Sequence, residues 1–177
     1  MAHIDDKVIE LARTALSFEY GEEHFYRHAA AVTGNPSGKA MFLRLADEEA
    51  GHVEDMHVLF NALIGPEEWQ RIATEEAANA HPSQAVADME TAVAQRNHMA
   101  ITDEAQALRM AMEMERRAIQ LFKDLSSHTR DTEIIKLINR MIAEECSQYD
   151  ALQAQMDSVQ NVGLWLDQPE FRMDGRF

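Results

Sequence analysis

Four stretches of the chain repeat apolar residues at the three- and four-residue spacing of an amphipathic helix. The first runs from about Asp6 to Val32, with Val8, Leu11, Ala15, Phe18, Phe25 and Ala29 on one stripe. Gly34-Asn35-Pro36 stops it, a Gly followed by a Pro. The second runs from about Ser37 to Leu63, with Phe42, Leu45, Ala46, Val53, Met56 and Phe60 aligned, and Gly65-Pro66 ends it. The third spans about Asp103 to Ser127 through Leu108, Ala111, Met112, Ile119 and Phe122. The fourth spans about Thr132 to Met156 through Leu137, Ile138, Met141, Ile142, Tyr149 and Leu152. Each is long enough for roughly 37 Å of helix at about 1.5 Å per residue. Four helices of matched length predict an all-α four-helix bundle, and no strand pattern competes with it.

Between the two pairs lies a long connection, residues 64–101. Pro66-Glu67-Glu68-Trp69 reads as a helix start, with Pro early and acids in the first turn. His81-Pro82-Ser83 reads as a break, and 84–98 as another short helix. A connection of this length can run back along the bundle, which would make the helices it joins parallel. Residues 1–157 are therefore expected to form the bundle. The aperiodic tail, 158–177, with Trp165, Leu166, Phe171 and Phe177, is expected to pack on it or on a partner.

The chain also repeats itself. Shifted by 96 residues, Glu19 meets Glu115, Tyr26 meets Phe122, Glu48-Glu49 meets Glu144-Glu145 and His52 meets Gln148. In each half the two key acids are 30 residues apart. Their midpoints are Gly34 and Arg130, each inside an expected turn. In an antiparallel hairpin, residues equidistant from the turn sit at one height, so each hairpin should hold a level pair of Glu side chains.

Helical periodicity turns all four acids inward. Glu19 shares a face with Ala12, Ala15, Leu16, Glu22 and Tyr26, and Glu49 with Phe42, Leu45, Ala46, His52, Val53 and Met56. Glu115 sits among Leu108, Ala111, Met112, Ala118, Ile119 and Phe122, and Glu145 among Ile138, Met141, Ile142, Gln148, Tyr149 and Leu152. A buried, unpaired carboxylate costs several kcal/mol or takes up a proton. No cation of the chain is placed to pair these four, because Arg116, Arg117, Lys123 and Arg140 lie off the stripes. Two divalent metal ions would balance them. Glu is common in helices and acid pairs arise by chance. An aromatic seven residues after both Glu19 and Glu115, His or Gln three after each acid pair, and turns at both midpoints together do not.

Composition narrows the partners. The formal net charge is −15, which argues against nucleic acid, because phosphate binding needs a basic patch; it also argues against an anionic membrane surface. No stretch approaches the length of a membrane span. The opening MAHIDDKVIE has acids where a signal peptide has an apolar core, so a cytoplasmic protein is expected. A single cysteine, Cys146, permits no intrachain disulfide and no CxxC pair.

The stretches ALSFEYGEEHFYRHAA, FLRLADEEAGHVEDM, ALRMAMEMERRAIQLF and INRMIAEECSQYDAL resemble the rubrerythrin-like branch of the ferritin-like superfamily. The tail segment WLDQPEFRMDG is similar in a less specific way. The resemblance implies a ferritin-like bundle of two antiparallel helix hairpins holding two iron ions, with Mn or Zn as alternatives. It implies Glu19 and Glu115 as terminal ligands, Glu49 and Glu145 as bridges and His52 as a ligand to one ion. No catalytic residue is implied beyond the ligands.

The chain departs from that pattern twice. Gln148 replaces the second His, and a neutral amide oxygen is a poorer ligand for Fe or Mn than imidazole. The site should therefore be asymmetric, with one position weak, empty or filled by water. A further Glu expected three residues after the third-helix ligand is Ala118, while the matching position in the first helix is Glu22. Glu22 is either a seventh ligand from the opposite side or an acid outside the ligand set. No four-cysteine rubredoxin-like module is present, so electrons would have to come from an external donor.

Tyr26 could hydrogen-bond a ligand carboxylate, and Tyr149 could fill the space left by the missing imidazole or pack in the core. His24, His28, His57, His98 and His128 lack a ligand pattern and read as solvated, and Cys146 as a buried inert thiol. The expected activity is that of a non-haem di-iron oxidoreductase that reduces peroxide or oxidises Fe(II), in a homodimer or higher homo-oligomer. The alternatives are a metal-binding or iron-handling protein without turnover, and a bundle that has lost its metal.

Overall fold

The computed structural model describes residues 6–79, 100–162, 164 and 166. Among them are five helices and no strand: α1 Asp6–Val32, α2 Pro36–Ile64, α3 Pro66–Asn79, α4 Ala100–Ser126 and α5 Thr132–Val162.

The turns follow from local chemistry. Thr33 closes α1, donating from both its backbone N and Oγ1 to Ala29 O. Asn35 then caps α2, its Oδ1 accepting from Ser37 N at 2.9 Å and Gly38 N at 3.4 Å, with Pro36 at the first helical position. Gly65 adopts φ 87°, a left-handed conformation that lets α3 start one residue after α2 ends. Asp131 caps α5 through Glu133 N and Ile134 N.

Helices α1 and α2 form one hairpin and α4 and α5 the other. The hairpins meet through α1 against α4 and α2 against α5, while α3 packs on α1 and α2. The apolar core falls into two clusters. One joins Phe25, Tyr26 and Ala29 of α1 to Met41, Phe42 and Leu45 of α2, Leu108 and Ala111 of α4, and Leu152 and Met156 of α5. The other joins Leu11 and Leu16 of α1 to Met56 and Phe60 of α2, Phe122 of α4, and Ile138 and Met141 of α5. The first cluster takes the early residues of α2 and α4, and the second takes their late residues. Those two helices therefore run parallel, as the long connection implied. On every bundle helix the polar residues Glu19, Glu22, Glu49, His52, Glu115, Glu145 and Gln148 fall at or next to the boundary between the two clusters.

Two boundaries differ from the sequence reading by more than one residue. Helix α4 starts at Ala100, before the expected Asp103, and α5 runs on to Val162, past the expected Met156. No Gly or Pro interrupts MDSVQNV, and the first glycine is Gly163. The expected break at His81-Pro82-Ser83, the whole of the expected helix 84–98 with His98, and most of the tail lie outside the described residues. Of the tail, Leu166 exchanges hydrogen bonds with the Gln155 side chain, and Leu164 O accepts from Ser158 Oγ, so the chain folds back along α5.

The buried Trp69 fastens α3 to the bundle. It stacks on Phe60 with ring centroids 4.9 Å apart, and its Nε1 donates to His57 Nδ1 at 2.6 Å. His57 is thus a half-buried acceptor, correcting the expectation of a solvated ring. Trp69→Ala removes both contacts and leaves a cavity, so it should lower stability by about 3–5 kcal/mol, read as a lower urea midpoint.

Candidate metal centre

Five carboxylates and one imidazole share the middle layer of the bundle. Glu19, Glu22, Glu49, Glu115 and Glu145 are each exposed by 1% or less, and His52 by 5%. The sequence assigned four of these acids to the interior and left Glu22 open; Glu22 is fully buried among them. Desolvated carboxylates need partners. Yet seven carboxylate oxygens in this layer are buried with no hydrogen-bond partner, including both of Glu22 and both of Glu145, and so is Gln148 Oε1.

His52 gives the layer its focus. Its Nδ1 lies 2.9 Å from Glu49 Oε2, 3.0 Å from Glu145 Oε1 and 3.3 Å from Glu19 Oε2. One N–H cannot serve three carboxylates. Glu19, Glu49, His52 and Glu145 each offer a donor atom, and the four atoms lie within 4.8 Å of one another. Carboxylate oxygens and an imidazole nitrogen around one point are a donor set for a divalent metal ion. The orphaned oxygens of Glu22, Glu115 and Gln148 are unused by that group and remain for a second.

The electrostatics agree. Burial pushes the Glu19, Glu22, Glu49 and Glu115 carboxyls up, Glu22, Glu49 and Glu115 well above the usual range, and neighbouring carboxylates push the same way. Burial alone would lower the His52 pKa; the surrounding Glu144, Glu145, Glu19 and Glu49 carboxylates outweigh it and raise it. Tyr26 Oη donates to Glu115 Oε1, and burial followed by the Glu115 charge raises the phenol. The expected Tyr26 contact to a ligand-type carboxylate is present, and it crosses between the two hairpins.

Among the described residues, the cations nearest these acids in sequence pair on the outside, as their positions off the stripes implied. Arg116 and Arg117 pair with Glu113, and Arg140 with Asp55. Two expectations need correction. Cys146 is exposed, not buried, because one residue past the inward Glu145 a helix has turned about 100°. Tyr149, one past Gln148, is half-buried for the same reason. His24 and His128 are exposed as expected, and His28 is half-buried with an interaction of its own.

The sequence reading missed the outer acids. Glu144 Oε2 lies 3.5 Å from His52 Nε2, the nitrogen facing away from the cluster, and this contact holds the Glu144 carboxyl below its ordinary value. Glu48 Oε2 accepts from Gln148 Nε2 at 3.2 Å. The two contacts are images of each other under the 96-residue shift, which also takes Arg44 to Arg140. The signal was available: Arg-x-x-x-Glu-Glu-x-x-His and Arg-x-x-x-Glu-Glu-x-x-Gln recur as whole motifs.

Comparison with known proteins gives one match. The model of a protein family described as Rubrerythrin matches residues 10–156, most of the chain. No curated protein and no solved structure matches it.

The raised carboxyls set a pH dependence. Each binds its proton more tightly when folded than in the unfolded chain, where the value is near 4.5. Their stabilising contribution is full below that pH and is lost as pH rises through the higher folded values, and the raised His52 acts in the same sense. Metal-stripped protein should therefore melt at lower temperature as pH is raised from roughly 5 to 8. Saturating Mn(II) should reverse the trend, since cations compete with those protons. Scanning calorimetry of both forms checks this; a melting temperature that climbs with pH in stripped protein would contradict a shared buried layer of acids.

Proposed function

This chain belongs to the rubrerythrin family, and from that premise we propose that it is a non-haem di-iron oxidoreductase that reduces peroxide or oxidises Fe(II). The observation that carries the reading is the set of unpartnered carboxylate oxygens in one buried layer. Glu19 and His52 would hold one ion and Glu115, Glu22 and Gln148 a second, with Glu49 and Glu145 available to both; the clustered donor atoms of Glu19, Glu49, His52 and Glu145 support the first position and the orphaned oxygens of Glu22, Glu115 and Gln148 the second. A pair of iron ions held by carboxylates, which tolerate both Fe(II) and Fe(III), supplies two electrons to an oxidant and takes them back from a donor.

The chain's own residues do the rest. Five carboxylates carry one charge more than two divalent ions neutralise, which favours an oxidised pair. Tyr26, donating to Glu115, fixes one carboxylate from across the hairpin interface. The apolar clusters above and below keep bulk water out of the layer and strengthen every charge interaction inside it. Reduction of hydrogen peroxide to two waters consumes two electrons and two protons. The single cysteine of these residues cannot hold a four-cysteine iron centre, so the bundle itself offers no such electron source, and the reading calls for an external donor.

Protein purified without added metal should contain two irons per chain by elemental analysis, and the reduced form should show a peroxide-dependent absorbance change. His52→Ala should cut iron affinity by more than the roughly 10–100-fold that loss of an outer partner costs. One tightly bound, redox-silent ion would instead establish a metal-holding protein without turnover.

A further inference from the structure

Gln148 stands where the repeat elsewhere puts histidine, and the two ends of its amide meet different surroundings. Nε2 donates to Glu48 Oε2 at 3.2 Å, whereas Oε1 is buried without a partner. A carboxylate can only accept, so the NH2 end must be the one that faces Glu48. The oxygen is then the end left to the interior. Glu48 is itself held from the same helix, Arg44 Nη1 donating to Glu48 Oε1 at 3.0 Å. On α5, Gln148 lies one turn beyond Glu145 and shares its inward face. In the other half Glu144 takes the outward nitrogen of His52, and the inward nitrogen meets three carboxylates.

We infer that Glu48, anchored by Arg44, is a positioning residue that turns the Gln148 amide so that Oε1 becomes a ligand for a second divalent cation. Resting on the two-metal reading above, the inference gives that cation an all-oxygen set: Glu22, Glu115, Gln148 and a carboxylate shared with the first ion. Carboxylate and carbonyl oxygens suit hard ions such as Mn(II), whereas the imidazole of His52 belongs to the other position. Gln148 is therefore a working donor whose oxygen is presented by a neighbour, and the second position is not a vacancy left by a lost histidine.

Mn(II) titration of the metal-stripped full-length chain, by calorimetry with free Mn(II) counted by electron paramagnetic resonance, tests this. The unaltered protein should take up two ions per chain. Glu48→Ala, at a side chain 37% exposed, should leave the first ion unchanged and weaken the second by about 10-fold or more. Gln148→Leu should weaken the second ion at least as much. Adding Glu48→Ala to Gln148→Leu should then change nothing further, because the carboxylate has no amide left to orient. A Glu48→Ala effect that persists in the Gln148→Leu background, falls equally on both ions or is absent would overturn the inference while leaving the two-metal reading standing. Uptake of fewer than two ions by the unaltered protein would overturn both.

Discussion

Five carboxylates held at one depth between two apolar clusters are the constraint around which the molecule is arranged. Each carboxylate would lose several kcal/mol of solvation in that layer if left ionised and alone. Among the described residues no Lys or Arg pairs with them, since the arginines nearest in sequence are engaged with Glu113, Asp55 and Glu48 on the outside. What remains is protons or metal cations. The apolar clusters make this choice sharp, because they exclude the water that would otherwise blunt each charge. The hairpins locate the layer, for each turn lies midway between two of the acids and fixes them at a common height.

Most of this was legible in the amino-acid sequence, for a physical reason. Helical periodicity is a strong signal when four long stripes recur, and stops such as Gly34-Asn35-Pro36 and Gly65-Pro66 are chemically unambiguous. An acid on an apolar stripe is conspicuous, so Glu19, Glu49, Glu115 and Glu145 could be read as inward. Glu22 could not be settled, since its burial depends on how closely the second hairpin approaches α1. Glu48 and Glu144 were passed over because each lies one residue from an inward Glu, about 100° around the helix, where an acid reads as solvent-facing. Their partners are on the opposite hairpin, and no spacing within one helix reports a contact made across two. Cys146 and Tyr149 were misplaced by the same single-residue rotation. The last helix outran its expected end, and its apolar stripe continues with it, since Val159, three residues past Met156, is buried in the core.

Charge is graded from the surface inward along the face where α2 meets α5. Glu48 and Glu144 are partly exposed, His52 and Gln148 are nearly covered, and Glu49 and Glu145 are fully buried. A cation approaching that face meets carboxylates at each depth, on a chain whose formal net charge is −15. Such an arrangement raises the local concentration of positive ions and speeds their entry. It also weakens with ionic strength, while the buried layer is little screened.

The reciprocal contacts of Glu48 and Glu144 make the bundle tolerant of divergence between its halves. An outer carboxylate accepts equally from an imidazole N–H and from an amide NH2, so one socket receives either side chain without rearrangement. The inner atom of that side chain is free to be nitrogen or oxygen. A duplicated hairpin could therefore change the character of one metal position by a single substitution, with the surrounding architecture untouched.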